Sequence, residues 1–142
     1  GLGEALTNSA VLEKTFELFY AISGQKPVFT KAKKSISNFK LREGQVVGYK
    51  VTLRSKKMRN FLSNLLYLAL PKIRDFRGIS PKGCDNFGNF SFGIKDDSIF
   101  PESNTDLDKL RGMDITICTT SKSKEELLFF LEQLGLPFKT GN

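Results

Sequence analysis

The chain has 142 residues, 39% of them hydrophobic and 26% charged, which is typical of one compact domain with its own core. Its 22 lysines and arginines exceed its 15 aspartates and glutamates, and the resulting net charge of +7 favours a polyanionic partner such as nucleic acid. The sequence lacks histidine, which argues against most acid/base and metal sites, and it lacks an apolar run long enough for a membrane span.

The cysteines and carboxylates offer little catalytic chemistry. Cys84 and Cys118 lie far apart without a CxxC pattern, so the sequence predicts free thiols in a reducing compartment rather than a zinc site. Five carboxylates fall in mixed-charge surroundings: Asp75, Asp85, Asp96, Asp97 and Glu102. A paired acid/base or metal role is the alternative for them, but exposed carboxylates are the ordinary case. We therefore expect no metal, no cofactor and no enzyme activity.

The first predicted elements are a helix, a short strand and a basic loop. Apolar residues spaced by three and four predict a helix over 8–22, with Gly24 just past its end. Residues 28–30 predict a strand after Pro27. Residues 31–40, rich in lysine, are interpreted as a loop that is either a solvated face or a finger contacting phosphates. The net charge favours the second interpretation, with structured RNA as the partner.

Residues 45–54 carry the clearest strand pattern in the sequence. Two sets of alternating residues make up this pattern: Val47, Tyr49, Val51 and Leu53 in one, and Gly48, Lys50, Thr52 and Arg54 in the other. A strand of period two places the first set against a core and the second on the open face. The sequence therefore predicts a polar face that presents hydrogen-bond donors to a partner.

A helix, a loop and a third strand follow. Residues 58–70 predict an amphipathic helix with a proline directly after it, and 74–83 predict a charged loop. The alternation over 90–94 predicts a strand, in which Phe90 and Phe92 are interpreted as core residues rather than as rings that stack on bases. The apolar residues of this helix are Met58, Phe61, Leu62, Leu65, Leu66 and Ala69.

The last two predicted elements are a strand over 114–120 and a helix. Ser123 and Glu126 have the spacing of a capping box, and Gly135 with Pro137 ends the helix. The apolar stripe of this helix consists of Leu127, Leu128, Leu131 and Leu134.

Strands and three helices that alternate without repeats or linkers predict an α+β fold. The expected architecture is a mixed, largely antiparallel sheet with helices packed on one face and the other face free for RNA. Residues 1–142 are expected to form a single domain.

Eight ordered segments resemble one protein family. They are ISGQKP (22–27), TKAKKSI (30–36), FKLREG (39–44), KVTLR (50–54), ALPKIRDFRG (69–78), GNFSFGI (88–94), IFPE (99–102) and RGMDITI (111–117). They are spread over residues 22–117 and are similar to the universal 5S-rRNA-binding family, the large-subunit ribosomal proteins numbered five, and the resemblance extends over nearly the whole chain. The RDFRG segment favours the bacterial and organellar branch of that family.

The resemblance implies a structural component of the central protuberance of the large ribosomal subunit. Its expected partners are 5S rRNA, large-subunit rRNA, P-site tRNA, neighbouring central-protuberance proteins and, through an intersubunit bridge, a protein of the small-subunit head. Family members carry a helix and a strand before the position where this chain begins, so the resemblance implies an N-terminally incomplete domain. Residues 82–87 and 103–105 depart from the family pattern.

The resemblance also implies individual RNA contacts. The expected 5S rRNA contacts are Gln25, Lys26, Thr30, Lys50, Thr52 and Arg54. The expected tRNA-facing residues of the loop 33–40 are Lys33, Lys34, Ser35, Asn38 and Lys40. Further rRNA or bridge contacts are expected at Arg74, Arg77 and Lys82. The alternation of residues 45–54 independently predicts that Thr52 and Arg54 lie on an open face.

Two alternatives concern role and compartment. An RNA-binding or protein-interaction module of the same fold could act away from the ribosome, but retention of the basic loop, Thr52 and Arg54 favours the ribosome. Sixteen of the 22 basic residues are lysines and 13 residues are phenylalanines, which favours an organellar genome. The similarity to bacterial motifs favours a plastid over a mitochondrion, with a bacterial cytoplasm as the alternative.

Overall fold

The computed structural model describes residues 9–31, 33, 44, 46–73, 76–95, 99–100 and 112–139. Within these residues the elements are α1 (Ser9–Ser23), β1 (Val28–Lys31), β2 (Val46–Lys50), α2 (Ser55–Asn64), β3 (Asn89–Ile94), β4 (Met113–Cys118) and α3 (Lys124–Leu134). The predicted α+β class is confirmed. Among the described helices, none has both the length and the apolar character needed to cross a membrane.

The first helix agrees with its prediction. The pattern predicted residues 8–22, and α1 spans Ser9–Ser23. Gly24 ends the helix with a φ of +74°, and its N–H donates to the carbonyl of Tyr20 at 2.8 Å. A left-handed residue directly after the last turn is the usual place for glycine, because it has no Cβ to clash.

An aromatic cluster joins α1 to the first pair of strands. The Phe16 ring lies 5.6 Å from the Phe29 ring and 5.4 Å from the Tyr49 ring, measured between centroids. The Tyr49 hydroxyl donates to the carbonyl of Leu12 at 2.7 Å. Burial raises the pKa of Tyr49 above its ordinary value. The face of the strands that carries Phe29 and Tyr49 is therefore the face covered by α1.

β1 and β2 form an antiparallel ladder. Val28 lies opposite Lys50 and Thr30 lies opposite Gly48, with an irregularity in the register between Thr30 and Lys31. The predicted strand over 28–30 is confirmed and is one residue longer. Lys31, predicted as the start of the loop, is the last residue of β1.

The prediction of a strand over 45–54 is wrong at its C-terminal end. β2 ends at Lys50, and residues 51–54 lie beyond the ladder. The reason lies in the partner strand, because Val28 pairs with Lys50 and is preceded by Pro27, which has no N–H to donate. The prediction that Gly48 is open to a partner is also wrong, because its backbone is buried opposite Thr30.

The helix predicted over 58–70 begins three residues earlier and changes its geometry before it ends. α2 passes into a π-helical turn at Leu65–Ala69 and then a 3-10 turn at Leu70–Lys72. Pro71 accounts for the change, since it can donate no helical hydrogen bond and its ring crowds the preceding turn. Met58, the first apolar residue of the predicted helix, is 40% exposed.

β3 and β4 form a second antiparallel ladder. Its two faces differ clearly: Phe90, Ile94 and Ile115 are buried, whereas Ser91 and Thr116 are exposed and their hydroxyl oxygens lie 2.9 Å apart. The predicted core role of Phe90 is confirmed, and Phe92 is partly buried beside it. The strand predicted over 114–120 is confirmed in position but ends at Cys118.

α3 begins and ends as predicted. The Ser123 hydroxyl accepts a hydrogen bond from the N–H of Glu126 at 3.1 Å, and Gly135 ends the helix with a φ of +103°. Leu127 and Leu131 are fully buried. Leu134, the last residue of the predicted apolar stripe, lies in the last turn and is 40% exposed.

One hydrophobic core contains buried residues from α1, from the helical turns after α2, from β3 and β4, and from α3. Ile22 contributes from α1, Leu65 follows α2, Phe90 comes from β3 and Leu131 from α3. Its buried members are Ile22, Leu65, Ala69, Leu70, Ile79, Phe90, Ile94, Ile99, Phe100, Ile115, Leu127, Leu131 and Leu136. The N-terminal and C-terminal parts of the described chain therefore share buried surface.

Candidate nucleic-acid interface

The face of the β1–β2 ladder away from α1 carries polar and cationic side chains. Residues directly opposite on antiparallel strands point to the same side, so Val28 and Lys50 share one face with Thr30. Phe29 and Tyr49 occupy the other face. Lys50 is exposed and Thr30 is partly buried, which leaves both accessible to a partner on the open side.

The row that begins at Lys50 continues past the end of the ladder. Lys50, Thr52 and Arg54 are exposed, whereas the intervening Val51 and Leu53 are partly buried. The predicted alternation is therefore confirmed for these five residues, although the last four make no ladder. Four residues of fully extended chain span about 13 Å, which is the greatest separation of Arg54 from Lys50. A row of this length can contact several nucleotides.

Gln25 holds the middle of this row in place. Its Nε2 donates to the carbonyl of Thr52 at 3.1 Å. In a longer ladder a backbone N–H of β1 would donate to this carbonyl, and here the Gln25 side chain takes that place. Buried Ser23 fixes the preceding turn, because its hydroxyl donates to the Gln25 carbonyl at 2.9 Å and accepts from the Gln25 N–H at 3.3 Å. The Thr52 side chain is thereby presented to solvent from a positioned backbone.

Lys26 adds a further cation beside this turn. It is exposed, whereas Pro27 after it is buried. Within the residues that the structure describes, no carboxylate pairs with Lys26, Lys50 or Arg54. All three side chains are exposed. We call the face formed by Gln25, Lys26, Thr30, Lys50, Thr52 and Arg54 the ladder face.

The expected tRNA-facing loop falls mostly outside the described residues. Lys33 is described and exposed. Lys34, Ser35, Asn38 and Lys40 lie outside the described residues. The role of this loop therefore stays a prediction.

The remaining expected contacts lie apart from the ladder face in the chain. Arg77 is exposed and precedes Ile79, which pairs with Phe138 near the C-terminal end. Lys82 is exposed in the 3-10 turn Pro81–Gly83, where its N–H donates to the Ser80 hydroxyl at 3.3 Å. Arg74 lies outside the described residues. Arg77 and Lys82 are thus positioned by β3 and the C-terminal segment rather than by β1 and β2.

The sequence analysis missed one cationic surface. Lys56, Lys57 and Arg59 are exposed on α2, directly after Arg54. The signal that could have found them is the run RSKKMR at residues 54–59, which crosses the gap between the predicted strand over 45–54 and the predicted helix over 58–70.

Family comparisons cover most of the chain. Residues 46–138 match the C-terminal part of the ribosomal L5 protein family, and residues 1–42 match the family described as "Ribosomal protein L5".

Individual relatives agree with these matches. A protein of Malacoplasma penetrans is 53% identical over 139 residues, which are 97% of this chain and 74% of the relative. A protein of Picosynechococcus sp. is 53% identical over 140 residues, or 98% of this chain and 77% of the relative. A protein of Geobacter sulfurreducens is 52% identical over 140 residues, or 98% of this chain and 78% of the relative. Each of these relatives is named large ribosomal subunit protein uL5.

Proposed function

Because the chain belongs to the ribosomal protein L5 family, whose members are structural ribosomal proteins and not enzymes, we propose that it binds 5S rRNA through the ladder face. The family assigns the chain to the large ribosomal subunit as a structural constituent, and therefore to the ribosome. The proposal goes beyond family membership because it names the RNA partner and the surface that binds this RNA. It also includes attachment of 5S rRNA to the large-subunit rRNA in the central protuberance.

The observation that carries this proposal is the exposed row of Lys50, Thr52 and Arg54. An arginine can donate two parallel hydrogen bonds to one phosphate, and a threonine hydroxyl can both donate to and accept from a ribose 2′-hydroxyl. The Gln25 bond to the Thr52 carbonyl restrains the backbone at the middle of this row, which reduces the freedom lost there on binding. Cations and hydrogen-bonding groups on one positioned surface suit the shape-dependent recognition of structured RNA.

Substitution of Arg54 tests the proposal. We expect Arg54→Ala to weaken 5S rRNA binding by about 1–3 kcal/mol, which is the value of a charge-assisted hydrogen bond. The measurement is a titration of the 142-residue chain against 5S rRNA. The control is Lys139→Ala, which removes one exposed charge near the C-terminus and should leave the affinity close to that of the parent chain. Equal affinities of the Arg54 variant and the parent would refute the contact.

The loop 33–40 is proposed to contact P-site tRNA. Its lysines offer phosphate contacts at a position that follows β1. We expect the double variant K33Q/K34Q to bind 5S rRNA almost as the parent does, and to lower P-site tRNA occupancy in reconstituted ribosomes. A large loss of 5S rRNA affinity would instead assign these lysines to 5S rRNA. Arg77 and Lys82 are proposed to contact large-subunit rRNA or the small-subunit head protein.

We propose a plastid as the compartment. The lysine and phenylalanine bias supports an organellar genome. Similarity to bacterial relatives, including one from the cyanobacterium Trichodesmium erythraeum, favours a plastid over a mitochondrion and fits a bacterial cytoplasm equally well. Mass spectrometry of ribosomes from separated plastids and mitochondria should detect the chain in the plastid fraction. Detection in mitochondrial ribosomes, or in the ribosomes of a bacterium, would contradict this proposal.

A further inference from the structure

We propose that Lys56, Lys57 and Arg59 form a second phosphate-binding surface, the α2 basic surface, which extends the ladder face along the backbone of 5S rRNA. This inference rests on the proposed function, since it adds contacts to the same RNA. It concerns residues that the sequence analysis did not assign to binding.

The first half of α2 stands away from the core. All six residues from 55 to 60 are exposed, and α2 contains no buried residue. Phe61 and Leu62 are only partly buried, and full burial begins at Leu65, after α2 has ended. Packing therefore does not explain the side chains in the first half of this helix.

The charge of this half is not balanced within the helix. Three cations occur within four positions, and α2 contains no acidic residue. Among the described residues, none of the three forms an ion pair. Cations in a first helical turn are also unfavourable for the helix itself, because they repel the positive end of its dipole. Charged side chains that weaken their own helix are expected where these side chains bind a partner.

The surface is continuous with the ladder face. Arg54 is the N-cap of α2, so the row from Lys50 to Arg54 leads directly into the helix. Arg59 lies about 8 Å from Arg54 along the helix axis, because each helical residue rises about 1.5 Å. Lys56, Lys57 and Arg59 therefore follow Arg54 within five residues, after a turn of the chain at Ser55, whose φ is +57°. A partner held at Thr52 and Arg54 can therefore reach the α2 basic surface without a second docking event.

The chemistry of the surface fits phosphates of RNA better than an acidic protein. Lysine ammonium groups are mobile point charges that suit repeated phosphates, and such contacts need no base or side-chain complementarity. The neighbouring ladder face presents Thr52 and Gln25, which match ribose and phosphate groups. The partner is therefore assigned as the 5S rRNA backbone.

The salt dependence of binding tests the inference. We compare the parent chain with the triple variant K56Q/K57Q/R59Q in titrations of 5S rRNA at several salt concentrations. Each lost phosphate contact should reduce the slope of log affinity against log salt by about 0.7–0.9, so the total reduction should be about 2–3. Near 0.1 M salt the affinity should fall roughly tenfold to hundredfold.

A charge-matched variant provides the control. K122Q/K124Q/K139Q removes the same charge from exposed positions around α3 and the C-terminal segment, and it should change the slope by less than about one. Far-UV circular dichroism should show unchanged helix content in the first triple variant, because removal of cations from the first turn does not weaken α2.

The outcomes separate this inference from the proposed function. An unchanged slope in K56Q/K57Q/R59Q overturns the inference, and so does an equal loss in the control, which would show a response to net charge alone. An unchanged slope with poor incorporation into reconstituted large subunits would assign the surface to an acidic protein or large-subunit rRNA and overturn it as well. If the parent chain itself shows no preference for 5S rRNA, the proposed function fails.

Discussion

At the scale of single residues, Asp85 organises the turn that leads into β3. Its Oδ1 accepts from the N–H groups of Phe87 at 2.8 Å and Asn89 at 2.9 Å, and its Oδ2 accepts from the Asn89 side chain at 2.9 Å. The bonds from Asn89, followed by the bond from Phe87, lower the pKa of Asp85 below its ordinary value. The sequence analysis expected an exposed carboxylate without a role, and the structure gives it a structural one.

The lowered pKa of Asp85 leads to a prediction about acid stability. Because the folded pKa is below the unfolded value of about 3.9, the ionised carboxylate stabilises the fold fully above that pH. This contribution is lost as the pH falls through the folded pKa. Thermal unfolding should therefore show that Asp85→Asn is less stable than the parent at pH 7. The difference should shrink as the pH is lowered below about 4, and a difference independent of pH would contradict this account.

The candidate site divides into predictable and unpredictable residues for a physical reason. Thr52 and Arg54 could be placed on an open face because strand alternation depends on residues adjacent in sequence. The bond from Gln25 to the Thr52 carbonyl could not be predicted, because it joins residues 27 apart and depends on where the ladder ends. Periodicity contains no information about such a pairing.

At the scale of elements, the same distinction explains the errors at element ends. The pattern over 45–54 indicated the correct faces but the wrong strand length, since Pro27 in the partner strand ends the pairing. The helix predicted over 58–70 was correct in existence, but its π-helical turn depends on how the chain accommodates Pro71. α3 was predicted best, because its Ser123 cap and Gly135 end are both local signals.

Substitution of Gly78 tests the contact between the segment before β3 and the C-terminal segment. Its φ is +106°, and an added Cβ would lie 2.5 Å from the Lys139 nitrogen. This nitrogen donates to the Ile79 carbonyl at 2.8 Å. We expect Gly78→Ala to reduce the free energy of unfolding by about 2–4 kcal/mol, through left-handed strain and a displaced backbone pair.

Gly24→Ala is the matched control for this prediction. Gly24 also has a positive φ of +74°, but an added Cβ would meet nothing within 4 Å. Gly24→Ala should therefore lower the free energy of unfolding only by the cost of the left-handed conformation, about 1–2 kcal/mol. Urea unfolding measures both variants. Equal losses would show that the contact with the C-terminal segment does not matter.

At the scale of the whole molecule, we propose that residues 1–142 form one cooperative domain. Ile22 and Leu131 belong to the same core although they lie in the first and last helices. We therefore expect Leu131→Ala to lower the free energy of unfolding by about 2–5 kcal/mol and to shift the whole transition. Near-UV circular dichroism of the tyrosines and far-UV signals should move together. Separate midpoints for the two signals would indicate two folding units.

The distribution of charge over the whole molecule connects the fold to its proposed role. The net charge of +7 by itself predicts a polyanionic partner, and family membership identifies the ribosome as the setting. Charge alone supports binding to any RNA. Preference for one RNA requires positioned groups, and on the ladder face these are the row from Lys50 to Arg54 and the Gln25 bond that holds it.

A titration of the purified chain against 5S rRNA at several salt concentrations tests the central claim most directly, with an unrelated RNA of the same length as the control. We predict tighter binding to 5S rRNA and a preference that persists as salt rises, because hydrogen bonds from the ladder face are screened less than bare charge. Equal affinity for both RNAs, falling in parallel with salt, would contradict the claim and leave only a basic surface without a specific site.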